Sequence, residues 1–342
     1  MILILNCGSQ SIKWKVFNND LKLVKQGKQE IYNKKDFNTD LVKELEKIKS
    51  FFKDIKTIGH RVVHGGTKFR KPLKVNKSNL RELEKNNKLA PLHNPFNILG
   101  IKSAQKIFPS VAQIAIFDTE FYTDLPEKAY IYPLPEKLIK KYQFRRFGFH
   151  GISHEYVAQA GAEEIKKQFN ELKIITCHLG GGSSVTAIKN GKTIDTSMGF
   201  TPMQGLMMMT RSGDIDPGIV LELAKIFSPQ KAGEILNSDS GLKAIAGTGD
   251  MLEILKKDKI GNKKAKLALE MFVYRIQKYI GAYVTILGGC DLLVFTGTIG
   301  FGSGKIRNKI IKDLSILKKE KTKILAIKPN EELAIAKKIK KL

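Results

Sequence analysis

The six histidines of this 342-residue chain fall in four short stretches: His60 and His64, His93, His150 and His154, and His178. Each stretch also holds Gly, Pro or Asn, and for any one of them a turn or core histidine is the plain reading. HGISH, with His150 and His154 four apart, is the nearest approach to a zinc pair. It lacks the Glu of HExxH and has a glycine between the two. TIGHRVVHGG, from Thr57, reads as a strand running into a glycine turn. Alternation puts Arg61 and Val63 on one face and His60 and His64 on the other. A cation beside a small apolar side chain suits an anion with a small apolar tail; an arginine capping a strand edge is the plainer alternative. AQIAIFDTEF, from Ala112, is an apolar strand ending at Asp118, where ligands bind in α/β sheets. Glu120, two residues on, is placed to share its face, and paired carboxylates fit acid-base or glycosidic chemistry. The turns NCGSQS and HLGGGSS offer backbone N–H groups and hydroxyls of the kind that cradle phosphates. Neither carries the GK[ST] of a Walker loop. Two such turns in one chain, with Lys13 after the first, favour phosphate handling.

The elements that must position these residues repeat. MILILN, CGSQ and SIKWKVF read as strand, glycine turn, strand, with Ile12, Trp14 and Val16 alternating against Ser11, Lys13 and Lys15. KIITCH, LGGG and SSVTAI read the same way. A third apolar run, LLVFTG at 292–297, also leads into a glycine turn. Three such units predict an internally duplicated fold. Helices are predicted over 40–54, from Asn262 through a long run apolar on most faces, and from Asn330, a good N-cap followed by Glu331 and Glu332 at the positive end of the helix dipole. Strands alternating with helices give an α/β class.

Length divided by ~150 residues per domain predicts about two domains. No linker marks the boundary, which is placed near FYTDLPEKA at 121–129. Hydrophobic residues make up 42% and charged residues 27%, and no apolar run approaches the ~18 residues of a membrane span. MILIL is too short and too quickly followed by polar residues to read as a signal peptide. These features predict a cytoplasmic protein. Cys7, Cys177 and Cys290 read as reduced thiols rather than a disulfide framework or a zinc site. Lys and Arg number 59 against 33 Asp and Glu, a formal charge of +26. The basic residues are dispersed, so a lysine-rich solvated surface is the blandest account and polyanion binding the alternative.

Taken together the motifs resemble one family. NCGSQSIKWKVF closely resembles the N-terminal signature of acetate kinases. GHRVVHGGTKF, LAPLHNPFN, IAIFDTEF, RRFGFHGISHEYV, CHLGGGSS, DTSMGFTPMQGLMMMTRSGDIDP and PNEELAIA follow in that family's order, over nearly the whole chain. The resemblance implies two duplicated α/β domains of the actin-like ATPase (ribonuclease H-like) type with an interdomain cleft. The family belongs with sugar kinases, actin and heat-shock chaperone ATPases. It implies Mg²⁺-dependent (or Mn²⁺-dependent) phosphoryl transfer between ATP and acetate, with no nucleic-acid or membrane partner, and usually a homodimer. Residues 1–122 plus 333–342 would form the acyl-side domain, and 123–332 the nucleotide-binding and dimerisation domain. By match of motif, Asn6 and Glu331 would hold the metal. Arg61 and Arg211 would bind the carboxylate and the migrating phosphoryl group. Asp118 would be the catalytic acid, and His150 would stabilise the transition state. Val63, Leu92, Phe149 and Pro202 would enclose the methyl group. Ser9, Ser11, Lys13 and the turn His178, Leu179, Gly180, Gly181, Gly182 would face the phosphates.

Departures from the family cluster on the nucleotide side. The chain is short for the family, so some loops must be trimmed. Gly181 stands where the family turn has Asn. Asp250, Met251 and Leu252 replace a D-[FM]-R segment, removing an arginine expected near adenine. Gly297, Thr298, Ile299, Gly300, Phe301 and Gly302 replace GGIGEN. Glu120 and Tyr122 also differ from the common pattern. The acyl side thus matches better than the donor side. This leaves another phosphoryl donor (pyrophosphate or another NTP) and propionate or butyrate as alternatives.

Overall fold

Alternation decides the first hairpin. Along SIKWKVF, Ile12, Trp14 and Val16 are buried while Lys13 is exposed. Leu3 to Cys7 before it are buried without alternation, as suits a strand covered on both faces. Leu3, Leu5 and Cys7 join a core with Leu41, Leu45 and Ala104, whereas Ile4 lies beside Ile335 and Ile339 of the last helix at Gly59. The computed structural model describes residues 1–8, 11–33 and 35–342.

Two compact units result. The first comprises Met1–Thr123, Phe149–Ser153 and Asn330–Leu342. Its strands are β1 (Ile2–Gly8), β2 (Ser11–Phe17), β3 (Leu23–Glu30), β4 (Thr57–Val62), β5 (Leu73–Lys74) and β6 (Ala112–Phe117), in sheet order β3-β2-β1-β4-β6-β5. β1–β2 and β2–β3 are antiparallel; β1–β4 and β4–β6 are parallel. Helices Phe37–Phe51 and Asn94–Ile107 supply the core on the Leu3/Leu5 face. The first of these starts three residues before its predicted position because Phe37, 1% exposed, anchors its opening turn against Phe96 with ring centroids 4.9 Å apart. It ends at Phe51 because Phe52 turns extended.

The second unit comprises Asp124–Gly148 and His154–Pro329. Its strands are β7 (Lys173–Leu179), β8 (Ser183–Lys189), β9 (Lys192–Thr196), β10 (Leu292–Thr296) and β11 (Lys323–Ala326). The order is β11-β10-β7-β8-β9. β7–β8 and β8–β9 are antiparallel, while β10 runs parallel to both β7 and β11. Read from the opposite edge, this repeats β3-β2-β1-β4-β6 strand for strand and sense for sense, so the duplication is real at the level of topology. The long helix Lys263–Leu287 is capped by the Asn262 side chain, which accepts from the Ala265 N–H, and ends at left-handed Gly288. Its buried residues run from Ala265 to Leu287 through the unit's core. No helix among the described residues is long and apolar enough to cross a membrane.

His60 sits in the first sheet, 1% exposed, with Nε2 2.7 Å from Gln113 Oε1. Burial lowers its pKa to about 4, against a smaller opposing effect of the Gln113 bond. The folded state therefore keeps it neutral while the unfolded chain binds a proton near pH 6.5. Its contribution is complete above about pH 6.5 and is lost as pH falls toward 4. The loss amounts to about 3 kcal/mol. Urea unfolding at pH 7.5 and 4.5 should show this decline, and His60→Asn should lessen it. An equal decline in the variant would refute the assignment.

Candidate active site

Three parallel strands of the first unit end side by side, and each delivers one polar residue there. β1 brings Asn6, β4 brings Arg61 and β6 leads directly into Asp118. The start of helix Glu331–Lys340 adds Glu331. Arg61 Nη2 lies 2.7 Å from Asp118 Oδ2 and Nε lies 3.2 Å from Oδ1, a two-pronged grip. Its Nη1 is 3.3 Å from Glu331 Oε2 and 3.5 Å from Asn6 Oδ1. Burial opposes the Arg61 charge, but Asp118 and Glu331 outweigh it and hold the guanidinium firmly protonated. Burial raises the Asp118 carboxyl; Arg61 draws it back and Glu331 adds to the rise. Two carboxylates against one guanidinium leave the cluster net negative. Its metal-facing donors would all be oxygen, the set a hard divalent cation such as Mg²⁺ prefers, so Asn6 and Glu331 fit the ion the resemblance implies.

Around this cluster the other first-unit residues find their places. The Gly151 N–H donates to the Asp118 carbonyl at 2.9 Å, and a Cβ at Gly151 would collide with that oxygen. This glycine is what lets HGISH approach the end of β6. His150, just before it, is held at φ 59°, an uncommon conformation for a non-glycine residue. Phe149 is buried; its carbonyl accepts from the Tyr122 hydroxyl at 2.8 Å, and its ring meets His64 edge-on at 5.5 Å. Val63 is half-buried and Leu92 is 49% exposed. Glu120 Oε1 lies 2.7 Å from Lys338 Nζ, which draws this carboxylate toward the last helix. Lys13 faces Asn6 across the β1–β2 ladder with its side chain exposed. Its neighbour Lys15 is engaged instead, with Nζ 3.0 Å from Glu332 Oε2 and 2.8 Å from Asn330 Oδ1. Ser11 is half-buried opposite Gly8; Ser9 lies outside the described residues.

In the second unit the β7–β8 turn carries His178 to Gly182. It closes through a bond from the Gly180 N–H to the Gly182 carbonyl at 3.1 Å. Gly297, at φ 82°, packs against Leu179 where a side chain would strike the Leu179 carbonyl. Gly297, Thr298, Ile299 and Gly300 form a short helix beside the turn. Leu179, Met251 and Ile299 have buried side chains, so they can offer a ligand only their backbone. Asp250 caps the helix Met251–Lys259 by accepting from the Leu252 N–H, and Leu252 and Phe301 are 67% and 40% exposed. Arg211 donates to the Pro202 carbonyl at 3.2 Å. Burial disfavours its charge, and no carboxylate among the described residues lies within ion-pair distance of it, an arrangement that asks for an anion. His154 is a core histidine: Nδ1 lies 2.6 Å from Thr176 Oγ1 and Nε2 2.7 Å from Ser184 Oγ. Both ring nitrogens are thus engaged by hydroxyls.

Sequence reading misses Lys15 and a set of buried asparagines behind Val63 and His64. LAPLHNPFN holds the signal, since Asn94 and Asn97 are one helical turn apart in an otherwise apolar helix start.

A family model described as the acetokinase family matches residues 24–334. The acetate kinase of Carboxydothermus hydrogenoformans is 41% identical, covering 98% of this chain and 97% of that protein. That alignment runs over 387 positions, more than the chain has residues, so the relative carries segments trimmed here. Among solved structures, Porphyromonas gingivalis acetate kinase superposes with a TM-score of 0.90 at 33% identity, covering 98% of each chain. A propionate kinase from Francisella tularensis matches equally, with a TM-score of 0.90 at 35% identity and 98% of each chain covered. With the strand-end cluster, the duplicated sheets and near-complete coverage in agreement, the chain belongs to the acetokinase family.

Proposed function

We propose that the protein transfers a phosphoryl group reversibly between ATP and acetate, giving ADP and acetyl phosphate. The observation that carries this reading is the meeting of Asn6, Arg61, Asp118 and Glu331 at the ends of three parallel strands. Phosphoryl transfer asks little covalent chemistry of a protein; it asks for in-line placement and positive charge around the moving group. Arg61 and Arg211 are assigned to the carboxylate and the phosphoryl oxygens. His150 is assigned to the developing charge and Asp118 to the acid role. Val63, Leu92, Phe149 and Pro202 are assigned to the methyl group. The turn at 178–182, the 297–301 segment, Ser11 and Lys13 are assigned to the nucleotide. A Mg²⁺ ion held by Asn6 and Glu331 would neutralise charge on the phosphates.

The likeness to a propionate kinase makes acyl length the natural second reading, which the same assay separates. We further propose cytoplasmic action as a homodimer. The three thiols are free and buried. The helix Pro217–Ile226 is rich in apolar residues yet has none buried, with Ile219, Leu221 and Ile226 at least half exposed. A second copy covering this face would bury it. Light scattering should then give twice the 38.3 kDa chain mass, and Leu221→Glu should shift the protein toward monomer; a wild-type monomer would refute the pairing.

With acetate, Mg²⁺ and ATP, hydroxylamine should trap a hydroxamate. Arg61→Ala and Arg211→Ala should each lower kcat by roughly 10²–10³, and His150→Ala should lower kcat more than it changes KM. Unchanged kinetics in Arg61→Ala would sink the anion-site assignment. Leu252 offers adenine only apolar contact where an arginine would stack and donate. kcat/KM for ATP, GTP and ITP should therefore agree within about tenfold. A hundredfold preference for ATP would show that other residues, Phe301 among them, grip the base.

A further inference from the structure

The turn after β4 has no regular structure, yet its backbone is held at every N–H from Val63 to Gly66, and each partner is a side chain. The Val63 N–H donates to Asn97 Oδ1 at 3.0 Å, and the His64 N–H to Asn94 Oδ1 at 3.0 Å. The Gly65 N–H donates to Thr119 Oγ1 at 3.2 Å, and the Gly66 N–H to His64 Nδ1 at 2.9 Å. Asn94 Nδ2 returns to the His64 carbonyl at 2.9 Å. Asn86 Nδ2 donates to the Gly65 carbonyl at 2.9 Å. Asn94 and Asn97 are 0% and 3% exposed, so water cannot replace what they provide. An unmet N–H at such depth costs about 1–3 kcal/mol, which makes these bonds determinants of the backbone path.

Asn97 also reaches a second strand. Its Nδ2 donates to the Cys7 carbonyl at 2.7 Å. An N–H can only donate and a carbonyl only accept, so these two partners fix the amide's orientation. One side chain thereby ties the residue after Asn6 on β1 to the residue after Val62 at the end of β4. The strand ends that carry Asn6 and Arg61 are locked in depth relative to each other, and the Val63 side chain is aimed. Thr119, immediately after Asp118, ties the end of β6 to the same turn.

We propose that Asn97 and Asn94 are positioning residues for the acyl side of the reaction, fixing Val63 relative to Arg61 and so setting which acid is accepted. This rests on the assignment of Arg61 and Val63 to the carboxylate and methyl group. A shift of about 1 Å in a reacting group's support costs on the order of 100-fold in rate. A change in the methyl wall moves discrimination between acids that differ by one methylene.

The test compares wild type, Asn97→Ala, Asn94→Ala and Thr119→Val in the hydroxamate assay with acetate and with propionate. Thr119→Val nearly conserves volume and removes one acceptor, so it reports even if the asparagine variants fail to fold. In Asn97→Ala, kcat/KM for acetate should fall about 100-fold, and the acetate-to-propionate ratio should move at least about fivefold. KM for ATP should stay within about twofold, because the side chains that hold the turn tie together the acyl-assigned strand ends. Thr119→Val should move the acid ratio in the same sense, by about threefold. A merely structural role would lower the active fraction and depress both acids alike, leaving the ratio and every KM unchanged; that result overturns the proposal. Wild type that makes no hydroxamate from either acid would instead overturn the reading of Arg61 and Val63 on which the proposal stands.

Discussion

The guanidinium of Arg61 is held at the carboxyl ends of three parallel strands by two carboxylates from different parts of the chain. A charge this buried is tolerable only when paired and hydrogen-bonded. Asp118 meets that demand from the neighbouring strand, and Glu331 meets it from a helix more than two hundred residues on. The first unit must therefore bring its own last thirteen residues back onto the sheet that its first residues began. The final helix accomplishes this with Ala334, Ile335, Ala336 and Ile339 buried and two further ion pairs, Lys15 to Glu332 and Lys338 to Glu120.

The same arrangement leaves a surplus of negative charge and oxygen donors beside a fixed cation. That combination suits a reaction in which a divalent ion and an anionic acceptor must share a small space. A lone arginine would attract a carboxylate but would also wander; the fork to Asp118 fixes its plane. Arg211 in the second unit is held differently: its donors reach the Pro202 carbonyl and no carboxylate among the described residues.

The second unit repeats the first in topology but spends its polar groups differently. Where the first ends its β1–β4 pair in Asn6 and Arg61, the second ends β7 and β10 in His178 and Thr296, followed by glycine turns. Glycine turns bring backbone N–H groups to the surface of a strand end, whereas Asn6 and Arg61 present side-chain oxygen and charge there, so two sheets of one order carry two kinds of strand end.

Fold class and most of the chemistry are carried by local signals in the chain. Period-2 burial in SIKWKVF, the glycine turns and the Asn262 and Asn330 caps are legible because backbone geometry over a few residues decides them. Strand ends are equally readable: the strand that runs into HGG carries Arg61 and the apolar run AQIAIF stops at Asp118, so both residues are marked without knowledge of their partners. The pairings are a different matter, for they exist only once distant segments are packed together. Glu120 sits two residues from Asp118 yet turns to Lys338, and Lys15 rather than Lys13 is drawn to the start of the last helix, because partners hundreds of residues away set where a long side chain goes. The spacing of Asn94 and Asn97 marks them in the chain, but the partners of the asparagines behind Val63 are not legible there, for the same reason. An Asn in a helix start reads as a cap or a turn former; only when the helix is laid against two strand ends does its amide become the acceptor of one strand's N–H and the donor to another's carbonyl.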